Sequence, residues 1–204
     1  YLPIDPRDLG RTYQDVIRVN SQSGKGGVAY VLSSKFGFQL PRWLQIEFSR
    51  TVQKQAETTG QEISPETIWE LFKQHYLSDE QPVRMESFNI EKAGDRETFS
   101  ASVQCFDETL HIRGEGDGVM DAFVEAIKSS TGIDFEIMEY GEHALGQGAD
   151  AEAVTYIQLK NSTERYTGVA ISRDIVSSSL NALLRAASQL LRQAQEQRLQ
   201  QSVA

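Results

Sequence analysis

The sequence predicts an α+β fold, in which a small α/β segment precedes a domain of two strand–strand–strand–helix units. Over short stretches, apolar residues alternate with polar ones, which is typical of half-buried strands. Over longer stretches, they recur every third or fourth residue, which indicates helices. The order of strands and helix occurs twice between residues 83 and 204. This order predicts two sheets with helices on one face.

Residues 1–27 are rich in proline, glycine and polar side chains. A phosphate-binding loop requires Ser or Thr after its lysine, but Gly26 follows Lys25, so that interpretation fails on spacing. Glycines permit positive φ and give the backbone freedom, which favours a hinge or a tight turn over an anion site. The predicted hinge comprises Asn20, Ser21, Gln22, Ser23, Gly24, Lys25, Gly26 and Gly27.

Residues 28–82 are predicted to hold a hairpin and two helices. The stretch AYVLSSKFGFQLP (residues 29–41) predicts the hairpin, with its turn at Ser33-Ser34 or at Phe36-Gly37. The first helix begins at Arg42 and has an apolar residue at every fourth position. These residues are Leu44, Phe48, Val52 and Ala56.

Gly60 ends the first helix, and the next one has clear start signals. Ser64 can cap it and Pro65 suits its first position. Beyond this segment, the first repeated unit begins with an alternating strand, a turn at residues 107–108 and a second strand. The alternating apolar residues are Phe99, Ala101, Val103 and Cys105, followed by Leu110 and Ile112.

The sequence GEGDG (Gly114–Gly118) then leads into a helix that Gly132 stops. From Ile133 the second unit is predicted to begin with a strand, followed by a glycine-rich loop over residues 141–148. Two further strands, Ala153–Leu159 and Thr167–Ser172, precede a last helix that is expected to fray after Arg192. That helix carries Val176, Leu180, Leu183, Leu184, Ala187, Leu190 and Leu191 on one face.

Composition excludes several classes of function. The chain has 20 basic and 29 acidic residues and a net charge of −9, so it would repel nucleic acid and anionic membrane surfaces. Cys105 is the only cysteine, which excludes an intrachain disulfide and predicts a reducing, cytoplasmic location. No apolar run is long enough to span a bilayer. Because the chain begins with Tyr1, we expect it to be part of a longer protein.

Candidate catalytic and metal sites are few. His75, His111 and His143 lie in three different segments, with no HxH or HExxH spacing, so no metal site is predicted in this chain. No GxSxG motif is present, and Cys105 alternates with apolar residues, which favours a core position over a nucleophile.

The GEGDG sequence has two interpretations. The free N–H groups and the dipole at the start of the following helix favour a carboxylate ligand. Glu115 and Asp117 would oppose a phosphate but matter less to a zwitterion, whose ammonium group they could meet. A tight turn between strand and helix would require the same glycines.

Two stretches carry a family resemblance. Residues 1–32, and above all RVNSQSGKGG (residues 18–27), are similar to the linker of 2-isopropylmalate synthases. The GEGDG-helix followed by EYGEHA (residues 139–144) resembles their leucine-sensing domain. The resemblance implies that residues 1–27 are the end of a linker subdomain and a flexible hinge, 28–82 a second linker subdomain, and 83–204 a leucine-binding allosteric regulatory domain.

The resemblance also implies an activity for the whole protein. The family condenses acetyl-CoA with 2-oxoisovalerate in a barrel that holds a divalent metal, Mg²⁺ or Mn²⁺, through an HxH motif that this sequence lacks. No cofactor is therefore implied for this chain, which should not catalyse alone. The family forms homodimers in which the linker reaches the partner's barrel, and Tyr1 matches the tyrosine that assists catalysis there.

For the leucine site, the resemblance implies a close-approach turn, an apolar wall around the isobutyl group and a tyrosine that closes the pocket. The matching residues are Gly116, Gly118, Met120, Asp121, Ile137, Tyr140, Ala144, Ala151 and Ile175. Met120 occupies a position at which the family usually has a leucine residue, and Asp121 occupies one at which it usually has a small residue. Two alternatives follow: a related regulatory domain, as in the isoleucine-sensing citramalate synthases or in homocitrate synthases, or a structural dimerisation module without an effector.

Overall fold

The computed structural model describes residues 25–78, 83–106 and 108–203, and it confirms the predicted α+β class. Within these residues the chain forms five α-helices and two three-stranded antiparallel sheets. The helices are α1 Lys25–Phe36, α2 Arg42–Thr59, α3 Pro65–Tyr76, α4 Val119–Thr131 and α5 Ile175–Val203. The strands are β1 Val83–Ala93, β2 Arg96–Cys105, β3 Glu108–Gly116, β4 Glu136–Leu145, β5 Glu152–Lys160 and β6 Arg165–Ser172.

Helix α1 occupies the stretch for which a hairpin was predicted, so that prediction is wrong. Val28, Val31 and Leu32 are buried at helical spacing, so burial of this face outweighs the turn signals. Ser34 fits inside the helix because its hydroxyl donates to the Tyr30 carbonyl at 2.7 Å. Gly37, with φ of 77°, ends the helix.

The described part of the predicted hinge is also helical. Lys25, Gly26 and Gly27 form the first turn of α1 in place of a flexible segment. The rest of the hinge, from Asn20 to Gly24, lies outside the described residues.

Helices α2 and α3 confirm the predictions for this region. The apolar stripe of α2 is buried, and the N–H of Gly60 donates to the Ala56 carbonyl at 2.8 Å where α2 ends. At the start of α3, the Ser64 hydroxyl accepts the Thr67 N–H at 3.1 Å, which is the predicted cap.

The chain divides into two compact units between Leu71 and Phe72. The division falls inside α3, whereas the sequence resemblance implies a domain boundary between residues 82 and 83. In unit 1, the ring of Trp69 stacks on Phe36, with 4.9 Å between their centroids. Unit 2 contains both sheets.

Each sheet of unit 2 is a meander in chain order, β1-β2-β3 and β4-β5-β6. The predicted strands and helix α4 are confirmed. The glycine-rich loop predicted over 141–148 is wrong in its first half, because β4 continues to Leu145 and pairs there with Glu152 of β5. Helix α5 also continues past Arg192, to Val203.

The two strand–strand–strand–helix repeats share a close contact between strand and helix as well as an order of elements. A Cβ on Gly114 of β3 would lie 2.3 Å from the carbonyl oxygen of Ala122 in α4. A Cβ on Gly168 of β6 would lie 1.9 Å from the carbonyl oxygen of Ala182 in α5. In each repeat, the third strand therefore lets its helix approach closely. We call β1–β3 with α4 the first repeat, and β4–β6 with α5 the second repeat.

A hydrophobic core in unit 2 joins the two repeats. Phe99 and Phe123 of the first repeat belong to the same cluster as Ile157 and Leu183 of the second. Helix α4 packs against β2 and β3, and α5 packs against β5 and β6.

Candidate functional site

The predicted leucine-binding residues lie at two places in unit 2. The first is the turn between β3 and α4, which we call the β3–α4 turn. It contains Gly116, Gly118, Met120 and Asp121. The second place comprises β4, the start of β5 and the start of α5, where Ile137, Tyr140, Ala144, Ala151 and Ile175 lie.

At the β3–α4 turn, only one of the two predicted glycines is closely packed. A Cβ on Gly116 would lie 2.4 Å from the Ala122 nitrogen and 2.6 Å from Asp121 Oδ2. Gly118, the residue before α4, has extended backbone with φ of −165° and open space where a Cβ would lie. Gly116 is therefore the glycine that this turn requires.

The Asp121 carboxylate changes the electrostatics of this turn. Its Oδ2 accepts the N–H of Asp117 at 3.1 Å, so the protein's own carboxylate lies beside the start of α4. Asp121 also lines an open cleft of about 570 Å³ with Arg96, Arg113 and Glu125. A ligand carboxylate would be repelled by Asp121, whereas an ammonium group would be attracted to it.

On β4, the side chains that point towards α5 include three of the predicted residues. Tyr140, Glu142 and Ala144 alternate, and a register shift between Ile137 and Glu139 places Ile137 on the same face. The Tyr140 hydroxyl donates to the Glu142 carboxylate and lies 2.8 Å from Ser179 Oγ of α5. Since the tyrosine proton is directed to Glu142, Ser179 is the donor in the second bond.

A group of buried hydroxyls lies beneath this contact. Ser178 Oγ is 2.9 Å from Thr155 Oγ1, 3.0 Å from the Ala170 carbonyl oxygen and 3.1 Å from that of Ala153. Thr155 Oγ1 is also 3.5 Å from Ser179 Oγ. Because burial of an unpaired hydroxyl is costly, these contacts explain how serines are accepted inside the core.

Sequence reasoning missed Ser179, Ser178 and Thr155. The available signal was the run Ser177-Ser178-Ser179 at the start of the last helix, where it interrupts a long apolar face. A serine on such a face requires a hydrogen-bond partner on the element that it packs against.

The environment of Tyr140 raises the pKa of its hydroxyl. Partial burial is the main cause, and the hydrogen bond to Glu142 adds to it, while the bond from Ser179 acts in the opposite direction. The phenol therefore stays neutral at physiological pH. It can donate a hydrogen bond and present an uncharged ring to an apolar ligand.

Four large apolar side chains of β4 and of the first turn of α5 are exposed. Met138, Tyr140, Ile175 and Val176 are 40%, 46%, 47% and 37% exposed, and we call them the β4–α5 surface. Ile175 lies one helical turn before Ser179 and so faces the same side of α5 as the Tyr140 contact. Exposed apolar clusters of this kind are typical of sites for ligands or partner proteins.

The β4–α5 surface and the β3–α4 turn lie on different elements of unit 2. Among the described residues, no hydrogen bond joins the predicted residues of the turn to those of the surface. Tyr140 contacts α5 through Ser179, which lies one helical turn after Ile175.

Other features considered in the sequence concern a metal ion, the histidines, a membrane span and Tyr1. In the part of the chain that the structure describes, no three His, Cys, Asp or Glu side chains could hold a metal ion. His111 is exposed on β3, with its Nδ1 3.0 Å from Ser102 Oγ. No helix among the described residues combines the length and the apolar character needed to cross a bilayer. Tyr1 lies outside the described residues.

Comparisons with known proteins agree with the sequence resemblance. The family model described as "LeuA allosteric (dimerisation) domain" matches residues 62–191. A second model, "Alpha-isopropylmalate synthase, post-catalytic domain-like", matches residues 1–33.

Similar curated proteins include three 2-isopropylmalate synthases. The chain is 42% identical over 194 residues to that of Mycobacterium leprae (strain TN), which covers 94% of the chain and 32% of the relative. For Thermobifida fusca (strain YX), the identity is 47% over 184 residues, covering 90% and 32%. For Pseudomonas syringae pv. syringae (strain B728a), it is 42% over 196 residues, covering 96% and 34%. The chain spans about a third of the length of these relatives.

Proposed function

The chain belongs to the LeuA allosteric (dimerisation) domain family, and from this membership we propose that it is the regulatory part of a 2-isopropylmalate synthase. In this proposal it forms a homodimer and binds L-leucine, and the bound leucine inhibits the condensation of acetyl-CoA with 2-oxoisovalerate. The match of residues 1–33 to a post-catalytic region supports the same assignment.

One observation carries the leucine-binding part of this proposal, namely the β4–α5 surface. Its aromatic ring, Tyr140, and its aliphatic side chain, Ile175, are close to half exposed although unit 2 has a well-buried core. The family resemblance implies that both residues contact leucine. Burial of an isobutyl group against them would remove apolar area from water on both sides.

The neighbouring residues suit a small aliphatic ligand. Ala144 lies on the same face of β4 as Tyr140 and occupies little space. The neutral Tyr140 ring is tethered at its hydroxyl end, so that its face can serve as a wall of the pocket. The ammonium group of leucine would be attracted to Asp121 at the β3–α4 turn.

A dimer would explain why the predicted residues lie at two separate places. In this proposal, the turn of one copy and the β4–α5 surface of the other approach the same ligand. Leucine would then favour one arrangement of the dimer, and coupling of this kind is typically about 1–3 kcal/mol, or roughly fivefold to 150-fold in affinity.

Catalysis is proposed for parts of the protein that the described residues do not include. The Mg²⁺ or Mn²⁺ ion would lie in a catalytic barrel. Tyr1 would act on the partner's barrel, and the protein would work in the cytoplasm. These statements come from the family resemblance.

A second candidate function is a structural dimerisation module without an effector. The observation in its favour is that the Asp121 carboxylate already accepts the Asp117 N–H at 3.1 Å. If the turn serves only to start α4, no ligand is needed there.

Isothermal titration of the 204-residue chain with leucine, isoleucine and lysine tests the proposal. We expect heat of binding with leucine and a loss of at least about tenfold in affinity for Tyr140→Ala, because the wall of the pocket is removed. His111→Ala serves as the control, since His111 is exposed on β3, in the other sheet.

Other outcomes separate the alternatives. Heat with isoleucine but not with leucine would indicate the specificity of a citramalate synthase, and heat with lysine that of a homocitrate synthase. A folded dimer that gives no heat with any of the three amino acids would support the structural module.

A further inference from the structure

We propose that Ser179 is a positioning residue that fixes the orientation of Tyr140 at the leucine site. The identity of the ligand in this inference rests on the proposed function. The role of Ser179 itself rests on the contacts between α5 and β4.

The contact between Ser179 and Tyr140 joins residues that are far apart in sequence. The Tyr140 hydroxyl and Ser179 Oγ are 2.8 Å apart, and Ser179 is only 5% exposed. Tyr140, by contrast, is 46% exposed. The Glu142 bond comes from the same strand, so Ser179 is the partner that ties the ring to α5.

The adjacent Ser178 fixes the place of Ser179. Ser178 Oγ lies within 3.1 Å of oxygens on Ala153 and Thr155 of β5 and on Ala170 of β6. The first turn of α5 is thereby fastened to two strands. A binding site is precise when the residue that contacts the ligand is held by a second residue whose own position is fixed. Here Tyr140 is the residue that contacts the ligand, and Ser179 is the residue that holds it.

The expected consequence is a pre-organised ring. With Ser179 in place, leucine meets a Tyr140 side chain that is already in its binding orientation. Without the hydroxyl, binding must also order the ring. Ordering one side chain of this kind costs enough to weaken binding by about twofold to tenfold.

The two neighbouring serines provide a matched pair of variants. We expect Ser179→Ala to weaken leucine binding by about twofold to tenfold in isothermal titration. Ser178→Ala should lower the stability of the chain to denaturant by more than Ser179→Ala, because it leaves several buried oxygens with fewer partners. It should weaken leucine binding less than Ser179→Ala does, because the Ser179 hydroxyl, the direct partner of Tyr140, is retained. Ser179→Thr keeps the hydroxyl and should restore binding.

A measurement without ligand tests the positioning directly. The ¹³Cζ resonance of Tyr140 reports the hydrogen bonding of its hydroxyl. We expect this resonance to move in Ser179→Ala, to move less in Ser178→Ala and to return in Ser179→Thr. A resonance that does not respond to Ser179→Ala would overturn the inference.

Failure of the inference can be distinguished from failure of the proposed function. If the wild-type chain gives no heat with leucine, the proposed function is wrong, and the resonance still decides whether Ser179 positions Tyr140. If the wild-type chain binds leucine and Ser179→Ala binds it equally well, the inference alone is wrong.

Discussion

Single residues set the distances between helix and sheet in unit 2. Gly168 of β6 lies so close to α5 that an added Cβ would meet backbone atoms of Ala182 at 1.9 Å and Ala186 at 2.8 Å. Backbone atoms of a helix cannot rotate away as a flexible side chain can. The glycine is thus required by the close approach of α5 rather than by an unusual φ.

Gly168→Ala is expected to destabilise the chain by about 1–3 kcal/mol or more, because α5 must shift away from β6 to admit the methyl group. Chemical denaturation monitored by circular dichroism measures this change. Gly118→Ala is the matched control, since the Cβ there has open space and the backbone is extended. Equal stability of Gly168→Ala and the wild type would contradict the packing described for β6 and α5.

At the scale of elements, the start of α5 depends on a local cap. Asp174 Oδ1 accepts the Ser177 N–H at 2.8 Å, and the Asp174 carbonyl accepts the Ser178 N–H at 3.1 Å. The cap begins the helix immediately before the residues that fasten it to β5 and β6. Hydrogen bonds from Ser177, the backbone N–H first, hold the pKa of the Asp174 carboxyl below its usual range.

Asp174→Ala should cost about 1 kcal/mol of stability at pH 7, as the loss of a helix cap typically does. A pKa that is lower in the folded state stabilises the protein above the unfolded-state value of about 3.9. This contribution is lost as the pH falls through the folded-state value. The wild type should therefore lose more stability than Asp174→Asn between pH 7 and pH 3. Parallel losses in denaturation curves would show that the ionised cap has no such role.

Elements with local signals could be predicted from the sequence, and the others could not. Ser64 and Gly60 mark helix ends through contacts within a few residues, and both predictions hold. Residues 29–36 carry equally strong turn signals, but burial of Val31 and Leu32 against other parts of unit 1 makes them helical. Likewise, Gly141 lies inside β4 because pairing with Tyr156 of β5 continues through it.

At the scale of the whole molecule, the two repeats of unit 2 share one set of core residues. Phe123 of α4 is completely buried and lies 4.6 Å from Phe99 between ring centroids. The same cluster includes Ile157 and Leu183 of the second repeat. Neither repeat can therefore lose its packing without exposing apolar surface of the other.

Phe123→Ala is expected to lower the free energy of unfolding by about 3–5 kcal/mol, because it leaves a cavity in the shared core. Amide hydrogen exchange should show reduced protection in β5 of the second repeat as well as in β2 of the first. Loss of protection in β1–β3 alone, with β4–β6 unchanged, would mean that the repeats unfold independently.

The sequence by itself determined the α+β class, the order of strands and helices in both repeats, and the residues around which the proposed site is built. These follow from periodicity, caps and a family resemblance, all of which are present in the linear chain. The tertiary structure decided that α1 is a helix and that Tyr140 is bound by Ser179. Each of these depends on contacts between residues distant in sequence, whose energies outweigh the local preferences from which a sequence can be interpreted.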